Sequence, residues 1–130
     1  MKNYLGIDWG KKRIGLAFAE DETKIVMPLK AVFGLNEVLD EIVKNEVDII
    51  VIGMPFQLDK AEINSSIKDD FLSFVSQLEE KSGLKVEGID ERFTSKQADM
   101  MSFEKGRDGR RDINSAIVIL QNYLDKIDAL

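Results

Sequence analysis

The segment NYLGIDWGKKRIG, residues 3–15, decides the fold because it joins two strand-like runs through a very short turn. Residues 3–9 predict one strand, and the alternation of apolar residues over residues 13–20 predicts a second. So short a connection makes the two strands antiparallel. The segment also puts an acid, Asp8, where the first strand ends.

The rest of the chain alternates strand and helix patterns. The further predicted elements are a strand over residues 24–33 interrupted at Pro28, a helix over 36–44 capped by Asn36, a buried strand over 48–54, a helix that Asn64 caps and Gly83 ends, a strand over 84–91, a short helix from Thr94, and a helix over 112–127. This order predicts an α/β fold: a mixed five-stranded sheet, flanked by helices, with a three-strand antiparallel meander followed by parallel strands. The first strand is expected at its centre.

Composition indicates one globular domain over residues 1–130. The chain is 44% hydrophobic and 32% charged, with no Cys, and its apolar runs are too short to span a membrane. We expect a cytoplasmic protein with no membrane partner, which fits the lack of cysteine and of a signal region. The formal net charge of −6 argues mildly against nucleic-acid binding. The cations are clustered, however, at residues 11–13 and 105–111.

Three acids stand out because the chain contains neither His nor Cys, two common carriers of general-base and nucleophilic chemistry. Asp8 and Glu91 each end an apolar run, and Asp112 opens the last, strongly apolar helix. Separate carboxylates at the ends of elements are what a Mg²⁺ or Mn²⁺ site requires, since hard cations take oxygen ligands. Each acid also has a simpler interpretation, as a turn residue, an ion-pair partner or a helix cap.

Two neighbouring acids compete for the same role. Asp90 and Glu91 alternate to opposite faces of their strand, so only one of them can join Asp8. We expect that acid and Asp8 to end neighbouring strands at the same edge of the sheet. Asp112 lies on the helical stripe of Ala116 and therefore faces the covered side, with Asp108 as its competitor.

Two glycines near Asp8 invite a functional interpretation. Gly10 and Gly15 remove side-chain bulk, so a phosphate backbone could approach closely. Gly53, at the end of the buried strand, is best interpreted as part of the turn that ends the strand with Pro55; a functional role would be to shape the backbone near the site, with no part in the chemistry.

Taken in order, these motifs resemble the YqgF family. The match rests on Asp8-Trp9-Gly10 with Arg13-Ile14-Gly15, on Gly53-Met54-Pro55, on Asp90-Glu91-Arg92, and on Asp112 leading into Ala116 and Ile119-Leu120-Gln121. These are small bacterial proteins with an RNase H-like fold, related to the RuvC-type Holliday junction resolvases. The resemblance assigns the catalytic acids to Asp8, Glu91 and Asp112 and prefers Glu91 to Asp90. Trp9, where Phe is usual, and Ile113-Asn114-Ser115, where small residues are usual, depart from the family pattern without removing an acid.

The resemblance implies a metal-dependent nuclease that hydrolyses phosphodiester bonds. The implied roles are maturation of the 5′ end of pre-16S ribosomal RNA or, alternatively, resolution of four-way DNA junctions. Asp8 would bridge two Mg²⁺ or Mn²⁺ ions, and Glu91 and Asp112 would each complete one. Nucleic acid is the expected partner, and a homodimer stays open. The residues expected to hold phosphates are Lys12, Arg13, Arg92, Lys105, Arg107, Arg110 and Arg111, and the loop over residues 105–111 is expected to be mobile without nucleic acid.

Two other classes of protein remain open at this stage. The Asp8-Trp9-Gly10 turn also resembles the phosphate-binding turn of sugar kinases and actin-like ATPases, but those proteins need a second comparable domain that 130 residues cannot supply. The other class is a non-catalytic RNA-binding factor in ribosome assembly. Such a factor would work equally well with the acids replaced.

Overall fold

The computed structural model describes residues 2–54, 65–90 and 110–128. The elements in chain order are β1 (Asn3–Asp8), β2 (Ile14–Glu20), β3 (Val26–Val32), α1 (Leu35–Lys44), β4 (Ile49–Met54), α2 (Ser65–Ser82), β5 (Lys85–Asp90) and α3 (Arg110–Asp128). The strands form one sheet in the order β3-β2-β1-β4-β5. The pairs β1–β2 and β2–β3 are antiparallel, whereas β1–β4 and β4–β5 are parallel. The predicted fold class and the central first strand are therefore confirmed.

The sheet buries a different kind of surface on each face, because successive side chains of a strand point in opposite directions. One face packs under α1 and α2 and forms the α1/α2-side core. Its buried members are Leu5, Ile7, Ile14, Leu16, Val32, Val38, Ile42, Val47, Ile50, Ile52, Phe71, Phe74 and Leu78. The other face packs under α3 and forms the α3-side core. Its buried members are Tyr4, Ala17, Ala19, Val51, Ala116, Ile119, Leu120 and Leu124.

Helix α3 lies unusually close to the sheet because glycine and alanine line the strands beneath it. A Cβ atom added at Gly6 would lie 2.8 Å from the Cβ of Leu120 and 2.9 Å from the carbonyl oxygen of Ala116. Contacts this short leave no room for any side chain at position 6. The small residues of β1 and β2 thus allow the helix backbone to approach the strands.

Strand β3 is the sheet edge next to β2, which is where a proline is tolerated because no partner needs its N–H. Pro28 pairs with Ala17, and the register shifts between Leu16 and Ala17. The predicted interruption at Pro28 is therefore a local irregularity within one continuous strand.

Three sequence expectations need correction. Helix α1 begins at Leu35, and its N-cap is Gly34, two residues before the predicted cap Asn36, in an extended conformation with no side-chain cap. Helix α3 begins at Arg110 instead of Asp112, so two residues of the predicted loop are helical. Strand β5 does not neighbour β1, because β4 lies between them.

The predicted end of α2 is confirmed. Gly83 follows the helix with φ of 69° and its N–H donates to the carbonyl oxygen of Glu79 at 2.9 Å. This left-handed conformation is the usual glycine C-terminal cap. The caps predicted at Asn64 and Thr94 lie outside the described residues.

Candidate active site

The carboxyl ends of the three parallel strands meet at one edge of the sheet. Ile7 is level with Ile52 on β4, and Ile52 is level with Gly88 on β5. Asp8, the last residue of β1, therefore lies at the edge where β4 and β5 also end. Its residue surface is only 9% exposed, although it is charged. Asp8 alternates with Ile7, so its side chain belongs to the α3 face.

Asp112 reaches the same edge because Gly15 allows it. Gly15 pairs directly with Asp8 across the β1–β2 ladder. A Cβ atom added at Gly15 would overlap the carbonyl group of Asp112 and lie 2.7 Å from the backbone nitrogen of Ile113. The first turn of α3 thus rests on the residue that pairs with Asp8. Two acids far apart in the sequence are thereby brought to one corner of the α3 face.

The close approach to Gly10 and Gly15 comes from the protein itself. A Cβ atom at Gly10 would lie 2.7 Å from the carbonyl oxygen of Arg13, which is the far side of the same turn. The space beside Gly15 is filled by the backbone of Asp112. The expectation that these glycines make room for a phosphate backbone is therefore wrong. The role of Gly15 in seating α3 was missed, although a glycine within a strand does indicate a close backbone approach.

Arg13 forms an ion pair with Asp112. The Nε atom of Arg13 lies 3.4 Å from Oδ2 of Asp112. Burial raises the pKa of the Asp112 carboxyl above its ordinary value, and the nearby charges of Arg13 and Arg111 oppose that shift without cancelling it. Desolvation outweighs the cations here because the Asp112 side chain is only 27% exposed, whereas Arg13 and Arg111 are more exposed to solvent.

The turn that follows Asp8 is held against α2. Trp9 packs edge-on against Phe71, with ring centroids 5.6 Å apart, and lies 6.3 Å from the ring of Phe74. Lys11 forms an exposed ion pair with Asp70 of α2, at 3.3 Å. Aromatic packing of this kind contributes more than the exposed ion pair. Trp9 therefore fixes the backbone immediately after Asp8.

The predicted site residues divide into three groups. Asp8, Arg13 and Asp112 come together at one edge, and Arg111 is near enough to influence the Asp112 carboxyl. Lys12 is exposed in the β1–β2 turn, and Arg110 begins α3. Glu91, Arg92, Lys105 and Arg107 lie outside the described residues, as does most of the basic loop.

The described ranges contain no cluster of three or more potential metal-ligating side chains. The two acids present supply carboxylate oxygens, which are the ligands of hard divalent cations. Half-burial and the raised pKa of Asp112 suit a group that gains from a nearby cation. The pair therefore fits part of a magnesium or manganese site.

In residues 2–54, 65–90 and 110–128, no helix combines the length and the apolarity that a membrane crossing requires.

Solved structures resemble this fold over nearly the whole chain. The Thermus thermophilus RuvC in complex with a Holliday junction substrate superposes with a TM-score of 0.66 at 15% identity, covering 98% of this chain and 96% of that one. The fowlpox virus resolvase bound to Holliday junction DNA superposes with a TM-score of 0.59 at 10% identity, covering 96% and 98%. At such identities the likeness concerns the fold, which is that of RuvC-like RNase H-fold nucleases.

Relatives in sequence carry the name "Putative pre-16S rRNA nuclease". The Chlamydia pneumoniae protein is 32% identical over 97% of this chain and 91% of its own length. The Anaeromyxobacter protein is 34% identical over 94% of this chain and 96% of its own length. A family model described as "RuvX: Holliday junction resolvase" matches residues 2–126. The chain therefore belongs to the RuvX family of nucleases, which is also called YqgF, and this confirms the resemblance drawn from its motifs.

Proposed function

We propose that this chain is a Mg²⁺-dependent nuclease acting in the 5′-end maturation of pre-16S ribosomal RNA, with Asp8, Glu91 and Asp112 as its catalytic acids and metal ligands. The observation that carries the proposal is the meeting of Asp8 and Asp112 at one edge of the sheet, across the Gly15 contact. A half-buried pair of carboxylates is costly for a protein that merely needs to fold. Its presence at the ends of elements favours a chemical role.

Glu91 completes the proposed site by sequence position. Ile89 packs in the α3-side core, and Glu91 is two residues further along the sequence, so a continued strand pattern would put it on the face that carries Asp8. Strand β5 lies two strand spacings, roughly 10 Å, from β1. A Glu side chain is one methylene longer than Asp, which suits the more distant strand.

Gly53 lies on β4, the strand between β1 and β5, and is consistent with a shared site for Asp8 and Glu91. Val51 packs in the α3-side core, so Gly53 lies on that face too, and it follows Ile52, which is level with Ile7. Strand β4 therefore offers no side chain between Asp8 and the end of β5. The gap suits cations that carboxylates from both sides would share.

Each residue has a distinct role in the proposed chemistry. A divalent cation held by the acids would generate a hydroxide nucleophile from water and stabilise charge on the attacking and leaving oxygens. Asp8, fixed between β2 and the Trp9 turn, would hold its carboxylate in place with little reorganisation. Asp112 would contribute from α3, which the Gly15 contact keeps in register. Since the chain contains no His and no Cys, carboxylates are the first candidates for acid–base chemistry.

The phosphate grip would come from the cations around this edge. Arg13 and Arg111 lie beside Asp112, and Lys12 is exposed in the adjoining turn. The proposal adds Arg92, Lys105, Arg107 and Arg110 from their position in the sequence. Contacts of this kind hold the backbone of any nucleic acid, so they give affinity and no choice of sequence.

Pre-16S ribosomal RNA is preferred as substrate because the aligned relatives carry that name over nearly their full length. The second candidate is resolution of four-way DNA junctions, which the description of the family model favours. The third, of another class, is a non-catalytic factor that binds ribosomal precursors. The three differ in what the purified protein does to each substrate.

The deciding experiment compares a 16S precursor carrying its 5′ extension with a four-way DNA junction, each incubated with the protein in Mg²⁺ or in EDTA. We expect Mg²⁺-dependent shortening of the RNA 5′ end and much slower cleavage of the junction. Asp70→Asn is the matched control, since it removes an exposed acid that pairs with Lys11 outside the site. Preferential cutting of the junction would transfer the assignment to DNA. Binding of the precursor without cleavage of either substrate would assign the protein to the non-catalytic class.

A further inference from the structure

The ion pair between Arg13 and Asp112 joins a phosphate-binding candidate to a metal-binding candidate. The guanidinium lies 3.4 Å from Oδ2 of Asp112, with the Arg13 side chain 35% exposed and the Asp112 side chain 27% exposed. An arginine cannot lose its charge at any ordinary pH. Whenever Arg13 occupies that oxygen, a cation approaching Asp112 meets a fixed positive charge.

The two partners differ in their freedom to move. The backbone of Asp112 is pressed against Gly15, so the carboxylate is tied to the sheet. Arg13 lies immediately before β2, at the end of a turn, and its long side chain is the more exposed of the two. If the pair opens, Arg13 is therefore the partner that moves. Its guanidinium would then be released toward the solvent edge where a nucleic-acid backbone would lie.

We propose that Arg13 is the internal counter-ion of the metal-free site: a divalent cation displaces it from Asp112, and the released guanidinium binds a backbone phosphate. This inference rests on the function proposed above and adds an order of events to it. Cation binding and phosphate binding help each other through one side chain. Because such coupling is reciprocal, nucleic acid that holds Arg13 must also tighten cation binding.

The turn offers a matched control for this idea. Lys12 is adjacent in sequence, carries the same charge, and is exposed. Lys12→Gln therefore removes one charge from the same turn while leaving the Arg13–Asp112 pair in place. Arg13→Gln removes the charge and the pair together. Arg13→Lys keeps the charge but loses the planar guanidinium that pairs with carboxylate and phosphate.

Trp9 supplies a readout that does not depend on activity. It is the only tryptophan in the chain and directly follows Asp8. Its fluorescence is expected to report cation binding at the adjoining carboxylate, and calorimetric titration with Mg²⁺ checks the same affinity independently. Thermal unfolding of each variant without metal establishes that it is folded before it is titrated.

The test measures Mg²⁺ affinity first, without nucleic acid. Arg13→Gln is expected to bind Mg²⁺ about tenfold more tightly than the parent, within the range usual for coupled sites. Lys12→Gln should gain much less, and Arg13→Lys should fall between the two glutamine variants. Equal gains for Arg13→Gln and Lys12→Gln would overturn the proposal, because the effect would then be that of charge alone. An Arg13→Gln variant that binds no more tightly than the parent would overturn it as well.

The second arm measures binding of a hydrolysis-resistant phosphorothioate RNA oligonucleotide with and without Mg²⁺. Mg²⁺ should strengthen binding to the parent and to Lys12→Gln, and most of that gain should vanish in Arg13→Gln. If Mg²⁺ strengthens RNA binding by Arg13→Gln as much as by the parent, the proposal that the released Arg13 binds a phosphate is wrong. If the parent itself binds no Mg²⁺, the metal-dependent function proposed above fails and this inference fails with it. If the parent binds Mg²⁺ but the variants do not differ as expected, only this inference fails and the proposed function stands.

Discussion

The two faces of the sheet carry side chains of different size. The α1/α2-side core is filled by large side chains such as Leu5, Ile7 and Phe71, all fully buried. The α3-side core is lined by glycine and alanine on the strands, and the helix backbone comes within contact distance of the sheet. Both acids of the site that the structure describes, Asp8 and Asp112, belong to the α3 side.

The difference indicates that opposite faces of one strand carry the large apolar side chains and the acids of the proposed site. Large apolar side chains give the free energy of burial, roughly 25 cal/mol for each Å² removed from water. Small residues give up part of that burial but let a helix backbone approach, which fixes where Asp112 lies. Neighbouring residues of β1, Ile7 and Asp8, therefore should fail in different ways when they are changed.

The largest effect is expected from Asp8→Asn. The change keeps the shape of the side chain but removes its charge, so cleavage should fall by at least about a hundredfold, the scale on which enzymes lose rate when one charge-stabilising group is removed. Without metal, thermal stability should be equal or higher, because removing one acid relieves repulsion with the others. Added Mg²⁺ should stabilise the variant less than the parent. Cleavage rates and thermal unfolding measure both; complementation by this variant of a strain lacking the protein would contradict the nuclease assignment.

Ile7→Ala, one residue away, should show the reverse pattern. It removes a fully buried side chain from the α1/α2-side core, at a cost of about 2–5 kcal/mol in the free energy of unfolding. At temperatures where the variant stays folded, its cleavage rate should match that of the parent. Urea unfolding supplies the stability, with Val43→Ala as the control because Val43 is 79% exposed. Equal losses for the two variants would mean that the α1/α2-side core is not packed as described.

Gly15→Ala should lower both the stability and the activity, because Gly15 contacts the first turn of α3, which carries Asp112. The added methyl group would overlap the carbonyl group of Asp112, so α3 must shift, at a cost of about 1–3 kcal/mol. Activity should fall as Asp112 moves away from Asp8. Gly34→Ser is the control, since a Cβ atom there meets nothing within 4 Å and serine is a favoured residue at a helix N-cap. A crystal structure of Gly15→Ala with an unmoved helix and full activity would remove Gly15 from the description of the site.

The smallest effect concerns pH. Burial raises the pKa of Asp112 in the folded chain above its value in the unfolded chain, so between these two values the folded state binds more protons. Stability should therefore decrease as the pH rises through that window and stay at the lower level above it. Asp112→Asn should abolish this contribution and be the more stable protein at neutral pH. Urea unfolding of both proteins from about pH 4 to about pH 7 measures the difference; a parent that gains stability relative to Asp112→Asn over this range would show that the Arg13 pair outweighs burial.

Local sequence patterns predicted most of the fold. The short turn after Asp8 fixed the antiparallel start, and the continuous apolar run that became β4 indicated a strand covered on both faces. The position of β5 relative to β1 was wrong because the order of parallel strands depends on where each helical crossover lands. Nothing within the strands' own sequences encodes that choice.

The site was predicted less completely than the fold, and the glycines explain why. A glycine within a strand announces that some backbone comes close, but not which one. At Gly15 that backbone is helix α3, nearly the whole chain away in sequence. The cap predicted at Asn36 was wrong because Gly34, two positions earlier, adopts the extended conformation from which the helix starts. Glu91, Arg92 and the basic loop remain predictions.

The seating of α3 on β1 and β2 has a consequence for biosynthesis. A ribosome delivers the N-terminus first, so the segments that build the α1/α2-side core are all synthesised before the residues of α3. The contacts of α3 with β1 and β2 join the two ends of the chain, and such non-local contacts form slowly. Until they form, the glycine and alanine face stays uncovered and Asp8 lacks Asp112 beside it. Docking of α3 would therefore both cover this face of the sheet and bring together the two acids of the proposed site.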